Sequence, residues 1–345
     1  MTVCAARSMR SLVATRRSRR ISDPKRKSAC STTMRSNSMT SGKPRLAYIG
    51  VGLMGGPMAA RLAGLGYKLR VFDADAGRQA AAMASGAVGA ASPKDCVEDA
   101  DLVLLNLPSQ AAVETVVFGQ AGLSDALLSP QIVVDFSTVS PDFCRSIGWR
   151  VQAATGCEWI DAPVSGGPSA AGEGTLTIMA GGSDWAIACI RSLIQDIGRQ
   201  FTHVGQTGMG SVAKMIAQLV VGTNYAVLAE AVRLAEAAGM DAALLPECVK
   251  YGHADGVLMQ QLYPRIAAHD FAPRAYARQL LKDLDMVQEL ARSSGTATPM
   301  SGQAAQLFRL LITAGHGDID GTGIYRLYEG APSHLTAIGE SARAQ

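Results

Sequence analysis

Aromatic residues are scarce in this chain, at 5%, so Ala, Val, Leu, Ile and Met must build its core. There is no C-x-x-C pair. Cys4, Cys30, Cys96, Cys144, Cys157, Cys189 and Cys248 are odd in number and scattered, which points to free thiols in a reducing compartment rather than a disulfide frame. His203, His253, His269, His316 and His334 show no metal-ligand spacing such as H-E-x-x-H, so no metal is expected. No uncharged apolar run reaches the roughly 18 residues of a membrane span. Met215 to Ala229 comes nearest, but Gln218, Thr223 and Asn224 interrupt it, and it reads as a buried helix. No internal repeat is visible.

What is present is unevenly charged. The first 43 residues hold eleven Lys or Arg against one acid, Asp23, a local charge of +10. Set against +3 for the whole chain, the remainder carries −7. A mildly acidic body argues against nucleic acid as a partner, and no membrane partner is expected. Residues 1–43 have no apolar periodicity and are expected to be disordered. Three readings compete: a transit peptide, a basic tail for an anionic partner, and a leader upstream of a start at Met39. The last is preferred, because Thr40 to Pro44 is a usual lead into a first strand. A cytoplasmic location follows, with an organellar one as the alternative if residues 1–38 are a transit peptide.

The 345 residues exceed one ordinary core and imply two domains. Arg45–Val51, Leu69–Phe72, Asp101–Leu107 and Gln131–Phe136 read as short apolar strands. Helical spacing covers Met54–Leu65, Lys94–Asp99 and Ala111–Phe118. This alternation predicts an α/β fold with a doubly wound, mostly parallel sheet. Further β/α units are expected at Glu158–Ile160, Thr175–Met179, Ser183–Ile197 and Phe201–Val204. From Ser211 no strand is convincing: Ser211–Ala238 is one long helix, with others at Leu244–Tyr251, Ala275–Arg292, Gly302–Ala314 and Ile324–Tyr328. We therefore expect a leader (1–43), a Rossmann dinucleotide-binding domain (44–205) and an all-helical domain (206–345), joined by the long helix.

Gly50-Val51-Gly52-Leu53-Met54-Gly55 is G-x-G-x-x-G between a strand and a helix. In that setting the first glycine turns the chain, the second admits a pyrophosphate, and the third lets helix and strand pack. Asp73 follows about 20 residues later, where a carboxylate accepts from both ribose hydroxyls. The next residue is Ala74, with no arginine to offset a 2′-phosphate, so NAD is expected over NADP. Lys214 is the only charged residue from Ser211 to Ala229. A buried lysine is unfavourable without a task or partner, although a lysine snorkelling from a helix end is a common alternative. Gln218, one turn on, shares its face. Ser165, Gly166 and Gly167 offer a hydroxyl and N–H groups suited to a carboxylate, or are a plain loop.

Five motifs in register resemble the β-hydroxyacid dehydrogenase family, from about Arg45 to Glu329. They are Ile49–Ala59 (IGVGLMGGPMA), Asp135–Pro141 (DFSTVSP), Asp161–Gly167 (DAPVSGG), Gly210–Lys214 (GSVAK) and Lys282-Asp283-Leu284. The family includes 3-hydroxyisobutyrate and L-threonate dehydrogenases and tartronate semialdehyde reductase. The resemblance implies Lys214 as catalytic acid/base and Ser165, Gly166, Gly167 and Gln218 as substrate contacts. It implies a cofactor site of Gly50, Gly52, Leu53, Met54, Gly55, Asp73, Leu107, Pro108, Ser137, Thr138 and Lys282, and a homodimer or homotetramer. Two departures weaken transfer of substrate specificity. Ala217 stands where several members carry Asn or His, and Arg274-Ala275 stands where many carry Gly-Phe. Arg274 is either a contact for a polar sugar acid or a surface residue. The activity implied is reversible, NAD-linked oxidation of a small hydroxy acid. The alternatives are an NADPH-dependent glyoxylate or succinic semialdehyde reductase, and a non-catalytic nucleotide-binding module, against which Lys214 speaks.

Overall fold

The computed structural model describes residues 43–329; the expected leader lies outside them, Lys43 excepted. Strand β1 (Leu46–Ile49) is buried along its whole length, as the centre of a parallel sheet requires. It leads through the glycine loop to α1 (Gly55–Gly64), and β2 (Leu69–Phe72) returns beside it. Next come α2 (Ala76–Ala84), β3 (Val88–Gly89), α3 (Pro93–Val97), β4 (Leu102–Leu105) and α4 (Gln110–Phe118). Then follow β5 (Ile132–Asp135), α5 (Pro141–Thr155) and β6 (Glu158–Asp161). These six strands are parallel in the order β3-β2-β1-β4-β5-β6, the strand order of a doubly wound dinucleotide-binding sheet. Ser92, Ser109 and Ser140 cap α3, α4 and α5 by accepting a first-turn N–H, and Pro93 and Pro141 follow where a missing N–H is harmless. Helices α2 and α5 are absent from the expected elements. Helix α2 buries only Ala82, and α5 buries Cys144 and Gly148 beside Ile147 and Val151; such small residues carry weak apolar periodicity.

Beyond β6 the parallel pattern stops. β7 (Val164–Ser165) continues the line of β6 past the carboxyl edge of the sheet. After α6 (Gly167–Glu173), β8 (Leu176–Gly181) runs antiparallel to both, with Asp161 opposite Gly181 and Ser165 opposite Thr177. A parallel return needs a crossover of about a dozen residues or more, and α6 has seven. Helix α7 (Asp184–Ile197) and β9 (Gly198–Gly205), parallel to β8, complete the sheet.

The 29-residue helix α8 (Met209–Ala237) leads into the helical part: α9 (Leu245–Cys248), α10 (Val257–Ala267), α11 (Ala277–Ser294), α12 (Pro299–Thr313) and a 3-10 stretch, Gly321–Tyr328. By length and composition α8 is apolar enough to cross a membrane. Its Tyr225, Ala229 and Val232 are instead buried against Tyr263, Leu284, Phe308 and Ile324. Cys96, Cys144, Cys157 and Cys248 are free thiols. Cys189 is disulfide-bonded, against the expectation of free thiols throughout; Cys4 and Cys30 lie outside the described residues.

Candidate active site

The glycine loop follows from local geometry. Gly50 has φ +91°, and a Cβ there would lie 2.2 Å from the Asn106 carbonyl oxygen. A Cβ on Gly55 would lie 2.0 Å from the Gly50 oxygen. The first and third glycines are therefore required by backbone packing. Gly52 differs: its missing Cβ faces only Arg78 Nη1, at 3.7 Å. That open face fits a group arriving from outside the chain, as a pyrophosphate would. Leu53 is exposed and Met54 half-buried beside it. Asp73, at the end of β2, accepts from the Val51 N–H at 2.8 Å and from the Asp75 N–H at 2.9 Å. Its carboxylate thereby ties the second strand to the glycine loop.

The loops after β4 and β5 form a second wall. Leu107 is half-buried and Pro108 exposed. Ser137 departs from the expected cofactor contact. It is buried, its Oγ accepts from the Leu107 N–H at 2.8 Å, and its N–H donates to Asp135 at 2.9 Å. It joins the two loops from beneath. Thr138 remains half-buried, and its carbonyl accepts from Lys282 Nζ at 2.8 Å. Lys282 thus spans from α11 to the β5 loop. Asp135, wholly buried with Oδ2 unpartnered, is pushed up to about 7 by burial.

Asp161, at the end of β6, accepts from the Gly208 N–H at 2.6 Å and the Ser211 N–H at 2.7 Å. Burial raises its carboxyl to about 6 even so. These bonds satisfy free donors at the head of α8 and place Lys214 one turn inside the helix. A Cβ on Gly210 would lie 2.5 Å from the Asp161 and Met179 carbonyl oxygens, so only glycine lets α8 approach this closely. Lys214 is 7% exposed. Its Nζ donates to the Val164 carbonyl at 2.9 Å and to Gln218 Oε1 at 3.1 Å. The first bond sets Lys214 beside the strand that ends in Ser165, where Gly166 and Gly167 both have positive φ. Burial lowers the Lys214 amine below its ordinary value, opposed by the nearby Asp283 charge and reinforced by Lys282.

Gln218 is less free than expected. Its oxygen faces Lys214, and its Nε2 donates to Asp283 Oδ2 at 2.6 Å. Arg274 is exposed, its guanidinium 3.5 Å from Asp270 and its N–H bonded to Asp320, which favours the surface reading. Asp283 received no role from the sequence, although a signal was available. Leu280, Asp283, Leu284 and Val287 follow helical spacing, which places a carboxylate on the apolar face of α11.

A glycine loop, an acid closing it and a buried lysine at the carboxyl edge define a dinucleotide-dependent oxidoreductase. Comparison with known proteins agrees. Residues 45–205 match the NAD binding domain of 6-phosphogluconate dehydrogenase, and residues 208–328 match the NAD-binding domain of NADP-dependent 3-hydroxyisobutyrate dehydrogenase. The chain is 34% identical to an NAD-dependent L-serine dehydrogenase of Pseudomonas aeruginosa, over 83% of this chain and 98% of that one. It is also 34% identical to the 3-hydroxyisobutyrate dehydrogenase of the same organism, with the same coverage. The crystal structure of 3-hydroxyisobutyrate dehydrogenase from Salmonella typhimurium superposes with a TM-score of 0.76 at 26% identity, covering 83% of this chain and all of that one. The chain belongs to the β-hydroxyacid dehydrogenase family, NAD(P)-dependent enzymes that act on a CH–OH group.

Proposed function

We propose that this enzyme oxidises a small hydroxy acid reversibly, with NAD preferred and Lys214 as the acid–base group. The observation that carries this reading is the hydrogen bonding of Lys214. Two neutral acceptors, the Val164 carbonyl and Gln218 Oε1, take two of its N–H bonds. In the neutral amine they account for both hydrogens and leave the lone pair for a substrate hydroxyl proton. In the ammonium form the third N–H returns that proton during reduction. Lowering the amine's proton affinity by burial brings it nearer neutrality, where acid–base work is efficient. Ser165, Gly166 and Gly167, beside the Val164 acceptor, hold the substrate carboxylate through hydroxyl and backbone N–H groups. The nicotinamide dinucleotide, held by Gly50, Gly52, Gly55 and Asp73, supplies the hydride acceptor. The direct experiment follows nicotinamide absorbance with L-serine, 3-hydroxyisobutyrate and L-threonate. Turnover of at least one is expected; no turnover of any, with either cofactor, would refute the substrate class.

Asp73 supports the preference for NAD. Its carboxylate is fixed at the end of β2 by two N–H groups, where a 2′-phosphate would meet like charge. The nearby cation, Arg78, has its Nε 3.8 Å from Asp75. Wild type should favour NAD over NADP by about tenfold or more in kcat/KM, some 1.4 kcal/mol, and Asp73→Ala should narrow that ratio. Equal or better efficiency with NADP in wild type would reverse the assignment.

A second copy of the chain is the partner proposed for α8. Ile216, Val220, Val227 and Leu234 are exposed along it, the last 71% exposed, and apolar side chains left open on one helix in this way favour association. A homodimer or homotetramer is expected by light scattering at micromolar concentration, and a monomer alone would count against it. A cytoplasmic location is proposed from the free thiols Cys96, Cys144, Cys157 and Cys248, and the disulfide at Cys189 counts against it.

A further inference from the structure

Asp283 is a carboxylate on the packed face of α11, 7% exposed. The same face of α11 carries Met286, Val287 and Leu290, which pack with Met215 and Leu219 of α8 in an apolar seam. A charge in such a place is unfavourable unless its partners hold it. Its Oδ2 accepts from Gln218 Nε2 at 2.6 Å. Its Oδ1 lies 3.2 Å from Lys282 Nζ but takes no hydrogen bond. Gln218 in turn meets Lys214 with its oxygen. The geometry points to Asp283 as a positioning residue that orients the Gln218 amide toward Lys214 and holds the proton on Lys214 by its charge. This rests on the acid–base reading of Lys214.

The orientation follows from donor and acceptor chemistry. A glutamine amide has one accepting end and one donating end. An ionised carboxylate only accepts, so Asp283 draws the NH2 end toward α11 and leaves the carbonyl end for Lys214. Reversed, the amide would set donor against donor at Lys214 and acceptor against acceptor at Asp283. The charge acts on the same lysine, opposing the loss of proton affinity that burial imposes.

Other charges around α8 are engaged elsewhere. Asp161 of β6 is bound to the head of the helix. Arg145 of α5 pairs with Asp142, and His203 of β9 bonds the Gly182 and Gly205 carbonyls. Arg265 of α10 pairs with Asp270 and Asp320, and Arg309 of α12 with Asp285. Lys282 stands beside Asp283 and acts in the opposite sense on Lys214.

The test uses the full chain labelled with 13Cε-lysine, with the Lys214 resonance assigned from Lys214→Met. Asp283→Asn keeps an oxygen acceptor for Gln218 but removes the charge. It should lower the Lys214 titration midpoint by roughly one pH unit. The acid limb of kcat/KM for oxidation should move down with it, because the neutral amine then persists to lower pH, while KM changes little. Asp283→Leu also frees the amide and should lower kcat by about a further tenfold. If Asp283→Leu fails to fold, Asp283→Asn decides alone. Coincidence of its midpoint and acid limb with wild type would overturn the proposal. A Lys214→Met enzyme that keeps wild-type kcat sinks the acid–base reading instead, and the midpoint still decides whether Asp283 governs Lys214.

Discussion

Replacing Lys214 by alanine is expected to lower kcat by about 10²–10⁴-fold, the usual worth of general acid–base help. Cofactor affinity should stay near wild type, because the glycine loop and Asp73 lie on β1, α1 and β2 and make no bond to Lys214 among the described residues. Lys214→Arg should fail as well, since a guanidinium does not release its proton near neutral pH. Removing the amine leaves the Val164 carbonyl and Gln218 Oε1 without their donor, which costs about 1–3 kcal/mol for a buried group. The thermal midpoint must therefore be read beside the rate. A folded Lys214→Ala protein that binds NADH normally and turns over at the wild-type rate would end the proposed mechanism.

The second large effect is expected at the glycine loop. In Gly55→Ala the new Cβ would lie 2.0 Å from the Gly50 carbonyl oxygen, so loop and helix must separate. The N–H groups proposed to face the cofactor phosphates would move with them. NADH affinity should fall roughly tenfold to a hundredfold, equivalent to about 1.4–2.8 kcal/mol. Overpacking of this kind also destabilises the fold by about 1–3 kcal/mol. Gly64→Ala is the control on the same helix: its Cβ meets nothing within 4 Å, and a helix gains stability from alanine over glycine. Fluorescence titration with NADH and a melting curve for each variant check both points. Wild-type affinity in Gly55→Ala would remove the packing argument for the third glycine.

Much of the fold could be read along the chain because its determinants are local. Four strands of the parallel set are short apolar runs with polar or glycine borders; the spans the sequence predicts for three of them agree with the observed bounds within a residue or two, and Leu69–Phe72 agrees at both ends. The glycine loop announces itself by the spacing G-x-G-x-x-G between an apolar strand and a helical stretch. Helices with small buried residues, α2 and α5, gave no comparable signal. Val257–Ala267 gives no clear helical signal either, being interrupted by Pro264 near its end.

The sequence by itself therefore determined the family, the parallel nucleotide-binding sheet, the helical second half and the unusual lysine. Each is carried by residue type and spacing within short segments, five of them in register for the family. Tertiary structure alone decided what those residues touch. It turned β8 against β6 and buried Ser137 beneath the loop it was expected to line. It also joined Lys214, Gln218 and Asp283 into one chain of hydrogen bonds. The physical reason is that a buried polar group takes its partners from whatever the fold brings alongside: Asp283 meets Gln218 from 65 positions away, and Val164 meets Lys214 from 50.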